Sequence, residues 1–262
     1  MRGLFLSHGA PDVLLGAHPA RRFWRELGQR LARPSAVVVI SAHHERREVE
    51  VSADPAPGTV YDFSGFPEAL YHLRYPAPGS PTLARQLVRA LTVSTLEESL
   101  RLAPRRGRDH GAWVPLFELF PAADVPVVQV SVLRQREGES PSTLAQRHVA
   151  LGRALGAALP DDTLFIGSGS LTHGLADRAG TGEVPWWVEA FRAWVRERME
   201  AKDLEALVAY RERAPHAARN HPTPEHLMPL FVTLGAFEHE APVHLHDSTM
   251  YDVLAMDAYG WR

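Results

Sequence analysis

Four histidines stand where a folded chain could bring them together. His8 closes the run GLFLS, His43 closes AVVVISA, and His173 follows TLFIGSG after a short Gly/Ser turn. The fourth, His226, lies in NHPTPEHLMPLF, between closely spaced prolines and the start of an apolar run. Neutral imidazole binds borderline divalent ions, and three imidazoles with positions left open make a catalytic site rather than a closed structural one. A single histidine just past a strand is more simply a hydrogen-bonding residue. Three in equivalent places, in a chain with 14 histidines, point to a metal. There is no cysteine, so disulfides, thiolate ligands and cysteine nucleophiles are excluded; imidazole and carboxylate remain.

The expected ligand set is His8, His43 and His226 around one divalent ion, Fe2+ or Zn2+. In TPEH, Thr223 reads as an N-cap and Pro224 as the first helical residue, which puts Glu225 and His226 in a first turn. A helix dipole disfavours imidazolium there and would keep His226 neutral. Glu225 is an alternative carboxylate ligand, but helical neighbours point about 100° apart, so one of the pair reaches the ion. His110 in RDHGAWVP is expected to line the site, oriented by Asp109. His221 is placed behind the ligands, and His44 is expected to point elsewhere. His18, His72, His148, His216, His239, His244 and His246 read as surface or loop residues.

Elements that could position these groups alternate along the chain. Residues 3–7, 36–42, 125–132 and 163–169 read as strands, the β-branched second and third as strands buried on both faces. Residues 18–32, 80–91, 112–120, 141–158, 186–201, 203–212 and 224–236 read as helices. This alternation predicts an α/β fold, a single domain over 1–262 with a central, mostly parallel or mixed sheet flanked by helices. In such sheets ligands bind beyond the carboxyl ends of the strands, where His8, His43 and His173 would gather. The Pro/Gly-rich stretch 52–81 is too long for a plain connection and is expected to serve the site.

The bulk composition excludes several classes. Of 262 residues, 28 are basic and 31 acidic, giving net charge −3 with no long run of either sign, which argues against a nucleic-acid groove. No apolar stretch approaches a membrane span or a signal peptide, and a cysteine-free chain fits a reducing cytoplasm. GSGSLTHG lacks the nucleophile elbow and the dinucleotide fingerprint, there is no phosphate-binding loop, and Lys202 lies in a polar stretch unsuited to a Schiff base.

Taken in order, LFLSHGAPD, AVVVISAHH, YDFSGFPEALYHLRYPAPGSP, RDHGAWVPL, GSGSLTHGL and HPTPEHLMPL resemble the signature segments of the class III extradiol ring-cleavage dioxygenases, in the DOPA 4,5-dioxygenase-like branch. The resemblance covers nearly the whole chain. It implies one mononuclear site with His8, His43 and His226 as ligands, His173 as acid/base and sometimes a fourth ligand, and His110 facing substrate. It also implies a catechol-type substrate with O2 and ring opening next to the diol by the ferrous form, although members also carry zinc. Where an aromatic residue often follows the second histidine, this chain has His44. Two other classes fit the same residues: a zinc hydrolase in which His173 or Glu225 activates a bound water, and a non-catalytic binding protein.

Overall fold

Strand and helix alternate through the first two-thirds of the chain. β1 (Gly3–Ser7), α1 (Pro19–Arg30), β2 (Ala36–Arg46), β3 (Val49–Ser52), α2 (Pro81–Thr92), β4 (Leu100–Ala103), α3 (His110–Leu119), β5 (Val127–Leu133), α4 (Pro141–Ala158) and β6 (Thr163–Gly169) come first. They are followed by α5 (Trp186–Glu200), α6 (Leu204–Val208), α7 (Tyr210–Arg213), α8 (Ala217–Asn220), α9 (Met228–Ala236), β7 (Val243–His246), β8 (Thr249–Met250), β9 (Leu254–Ala255) and β10 (Ala258–Trp261). The structure is a computed structural model and describes residues 1–178 and 180–262.

Eight strands form one sheet in the order β4-β3-β5-β2-β6-β1-β10-β7. β5, β2, β6 and β1 are mutually parallel; β3 joins β5, and β10 joins β1, in antiparallel fashion. The fold is thus a single-domain α/β arrangement on a mixed sheet, as the alternation predicts. Val37, Val38, Val39 and Ile40 of β2 are all at most 1% exposed. Val38 and Ile40 pack on the face that α2, α4 and α9 cover, Val37 and Val39 on the face that α1 and α3 cover. An unbroken β-branched run is what a strand covered on both faces requires, and each such side chain contributes roughly 1.5–3 kcal/mol on full burial.

Helix starts follow side-chain capping. Ser80, Asp109, Ser140 and Asp203 each accept a hydrogen bond from the backbone N–H three residues on, with Pro81 and Pro141 as first helical residues. Several expectations change. The helix expected over 203–212 breaks at Ala209 into α6 and α7, and α3 starts at His110 rather than 112. His148 is not a surface residue: it is fully buried in α4, its Nε2 accepting from the Leu133 N–H and its Nδ1 donating to the Leu144 carbonyl. Among the described residues no helix is long and apolar enough to cross a membrane.

Candidate metal centre

The structure brings His8, His43 and His226 together, with one ligand atom from each inside a 4.8 Å cluster. Nε2 of His43 lies 3.1 Å from Nε2 of His8 and 3.3 Å from Nε2 of His226. His8 follows β1 directly and is pinned there by its N–H to the Gly169 carbonyl at 2.9 Å. His43 is placed differently from expectation. β2 does not end before it; the register against β5 runs Ser41↔Ser131 and then Glu45↔Val132, so Ala42, His43 and His44 form a bulge inside the strand. Bulges re-aim side chains beside functional sites. His43 turns to the cluster, while His44 is fully buried and bonds Glu50 Oε1 at 2.8 Å, pointing elsewhere as expected.

His226 also reaches its place by another route than a helix N-terminus. α9 begins at Met228, and residues 224–228 form turns in which Leu227 N–H reaches the Pro224 carbonyl and Met228 N–H the Glu225 carbonyl. Thr223 caps no helix; its hydroxyl donates to Glu225 Oε1 at 2.9 Å. What keeps His226 neutral is therefore burial first, then the neighbouring histidines, which together push it well below the ordinary imidazole range. His8 is lowered in the same way, and burial takes His43 down to about 4.

Each ring has a partner for its other nitrogen. Nδ1 of His226 lies 2.9 Å from Glu225 Oε1, and since a carboxylate only accepts, the proton is on Nδ1. Nδ1 of His8 lies 3.0 Å from Ser168 Oγ, whose own proton goes to the Gly111 carbonyl, so Ser168 must accept from His8. Nδ1 of His43 lies 3.4 Å from Asp62 Oδ2. With the protons of His8 and His226 on Nδ1, and Nδ1 of His43 turned toward the Asp62 carboxylate, the three Nε2 atoms are left to converge on one point. A cation is what such an arrangement fits, and orienting partners of this kind are typical of metal-binding histidines.

Two further histidines join the cluster. The His110 ring centroid is 3.9 Å from that of His43, and His173 stacks on His226 at 3.5 Å. Burial lowers His173, with the Glu225 charge opposing. Asp109 does not orient the His110 ring. It caps α3 and binds Ser41 Oγ at 2.6 Å and Gln129 Nε2 at 2.7 Å, while the His110 ring nitrogen Nδ1 is 3.0 Å from Asp62 Oδ1. His221 stands outside the cluster, its Nε2 on the Leu171 carbonyl at 2.9 Å. Gly111 is required by space: a Cβ there would collide with Ser41 Oγ and stand 3.0 Å from His43 Cδ2.

The residues that sequence reasoning missed are Asp62 and Ser168. Asp62 belongs to the long 52–81 stretch marked as serving the site, but nothing in YDFSGFP distinguishes a carboxylate that reaches histidines from a solvated one. The same stretch lays Phe63 edge-on to His110 at 5.5 Å, with Tyr61, Tyr71 and Trp113 around it. Burial would raise the Asp62 carboxyl, but the His110 hydrogen bond and the nearby rings bring it to about 2. Beside His43 and Asp62 a cleft of about 680 Å³ opens, bordered by Arg46, Arg105 and Arg106.

Comparison with known proteins places the chain in a family. The chain is 35% identical over 261 residues to the 4,5-DOPA dioxygenase extradiol of Beta vulgaris, covering 97% of this chain and 94% of that one. It is 37% identical over 250 residues to the protein of the same name from Escherichia coli K12, covering 93% and 88%. The crystal structure of an uncharacterized Escherichia coli K12 protein superposes with a TM-score of 0.77 at 31% identity, over 98% of both chains. The family described as the catalytic LigB subunit of aromatic ring-opening dioxygenase matches residues 5–258, and the chain belongs to that family.

Proposed function

We propose that this chain is an extradiol dioxygenase that holds one divalent metal ion through His8, His43 and His226 and opens the ring of a catechol carrying a side chain. The observation that carries this reading is the convergence of three Nε2 atoms at 3.1 and 3.3 Å, each ring facing a side-chain oxygen at its Nδ1. The names of the 31–37% identical relatives support the dioxygenase class and a DOPA-like substrate. Ferrous iron, when bound, supplies a path for electrons between an aromatic diol and O2, which zinc does not.

The chain's own groups divide the remaining work. Phe63, edge-on to His110 with Tyr61, Tyr71 and Trp113 around it, offers an apolar surface for a flat ring beside the histidines. His110, held at its Nδ1 by Asp62, is left with Nε2 to hydrogen-bond a substrate hydroxyl. The His173 ring makes no hydrogen bond among the described residues; it is free to take a proton from the diol and return one to the ring-opened product.

The test is oxygen uptake by anaerobically Fe2+-loaded protein with a catechol panel, against a rigorously iron-free Zn2+ form. Uptake with a yellow ring-opened product from the iron form alone supports the reading. Turnover of esters or amides by the zinc form without oxygen uptake replaces it with a hydrolase, and no turnover by either form leaves a binding protein.

A further inference from the structure

We infer that Asp62 is the positioning residue that keeps the His43 imidazole in its metal-binding tautomer while holding His110 to the site. The inference rests on the metal reading above and goes beyond it by assigning a residue that supplies no ligand to the triad.

One carboxylate serves two histidines on different elements. Oδ1 accepts from both the backbone N–H and the ring Nδ1 of His110, each at 3.0 Å. Oδ2 lies 3.4 Å from Nδ1 of His43. A carboxylate can only accept, so it favours a proton on Nδ1 of each ring it faces and leaves Nε2 to point elsewhere. For His43 that direction is toward Nε2 of His8 and of His226.

The position of Asp62 is fixed by contacts outside the site. Val60 N–H bonds the Arg108 carbonyl at 2.8 Å, and Trp113 Nε1 donates to the Val60 carbonyl at 3.0 Å. The Tyr61 hydroxyl donates to the Leu73 carbonyl at 2.7 Å. Arg108, 1% exposed, gives its guanidinium to the carbonyls of Tyr75 and Ala77 at 3.1 and 3.0 Å. The long stretch is thus fastened on both sides of Asp62, and its carboxylate arrives preorganised.

Asp62→Asn separates positioning from packing. The His110 backbone N–H can only donate, so it holds the amide oxygen where Oδ1 was. The amide NH2 then falls toward Nδ1 of His43, donor against donor, and drives His43 to carry its proton on Nε2. Asp62→Ala creates no such conflict and leaves Nδ1 free to bond water. Two measurements are made on full-length protein: Zn2+ affinity by competition with a chromogenic chelator, and histidine tautomers of the metal-free protein by long-range 1H–15N spectra. D62N is expected to lose about 10–100-fold in Zn2+ affinity and more than D62A, although it is the closer isostere. Its His43 is expected to carry the proton on Nε2, where the unmodified protein carries it on Nδ1.

Zn2+ binding by D62N as tight as or tighter than by D62A overturns the inference, and that order is what a packing role or direct ligation by Asp62 would give. A His43 that keeps Nδ1–H in D62N overturns it equally. Neither readout needs turnover, so absence of ring cleavage would remove the proposed function and not this assignment. If the unmodified protein bound no Zn2+, the metal reading would fall, and the tautomer of His43 would still decide the role of Asp62.

Discussion

Pro115 stands four residues after Gly111 in α3, and the missing proline N–H leaves the Gly111 carbonyl without its helical donor. The Ser168 hydroxyl takes that place and so offers only its lone pairs to Nδ1 of His8. A helix defect thereby sets the tautomer of a candidate metal ligand on another element. Ser168→Ala adds no volume but leaves the Gly111 carbonyl without a donor, so it should cost about 1–3 kcal/mol of stability without abolishing the fold. It should lower Zn2+ affinity about 10–100-fold, because His8 loses its acceptor. Unchanged affinity, measured beside the melting temperature, would remove Ser168 from the site.

His173 lies flat on His226, planes 10° apart, yet its ring is bonded to nothing among the described residues. His173→Gln should keep metal content near that of the unmodified protein while lowering kcat by about 10²–10⁴-fold, the usual contribution of a proton-transferring group. A fourth ligand would instead show weaker metal affinity first, with much of the rate restored by added Fe2+. Normal turnover per folded molecule would leave His173 a structural role only.

His148 and His221, both far from solvent, are pushed down to about 4 by burial, against backbone hydrogen bonds to the Leu144 and Leu171 carbonyls that raise them. In the unfolded chain each titrates at about 6.5. Below that pH the unfolded state takes up protons that the native state declines until about 4. Stability is therefore full above pH 6.5 and falls as the pH drops through that window, by at most about 1.4 kcal/mol per pH unit for each group. In His148→Gln, where an amide can replace both hydrogen bonds without titrating, the fall in melting temperature from pH 6.5 to 4 should be shallower. An equal slope in both proteins would refute the assignment.

The sheet core was legible because β2, β5 and β6 are buried on both faces and so carry unbroken apolar runs. β3 (VEVS) and β4 (LRLA) were not, being four residues long with Glu50 and Arg101 among them. The start of α9 was misread because Thr-Pro-Glu imitates a cap. Pro229 was the better marker: a helix begun at Pro224 would place it well inside, without an N–H to give, whereas in α9 it stands in the first turn. The five clustered histidines could be picked out from their places in the chain. Their partners could not, because a bulge and a carboxylate brought in from a long loop leave no periodic trace in sequence.

Because β6 lies between β2 and β1 in the sheet, His8 and His43 cannot become neighbours until residues 163–169 have been made and inserted. His226 is synthesised later still, after all six of the first strands and eight of the nine helices among the described residues. A nascent chain therefore has no assembled triad to offer while most of it is still being translated. A metal ion bound by these three rings would have to enter a nearly finished protein, and a chain cut anywhere before residue 226 could gather none through them.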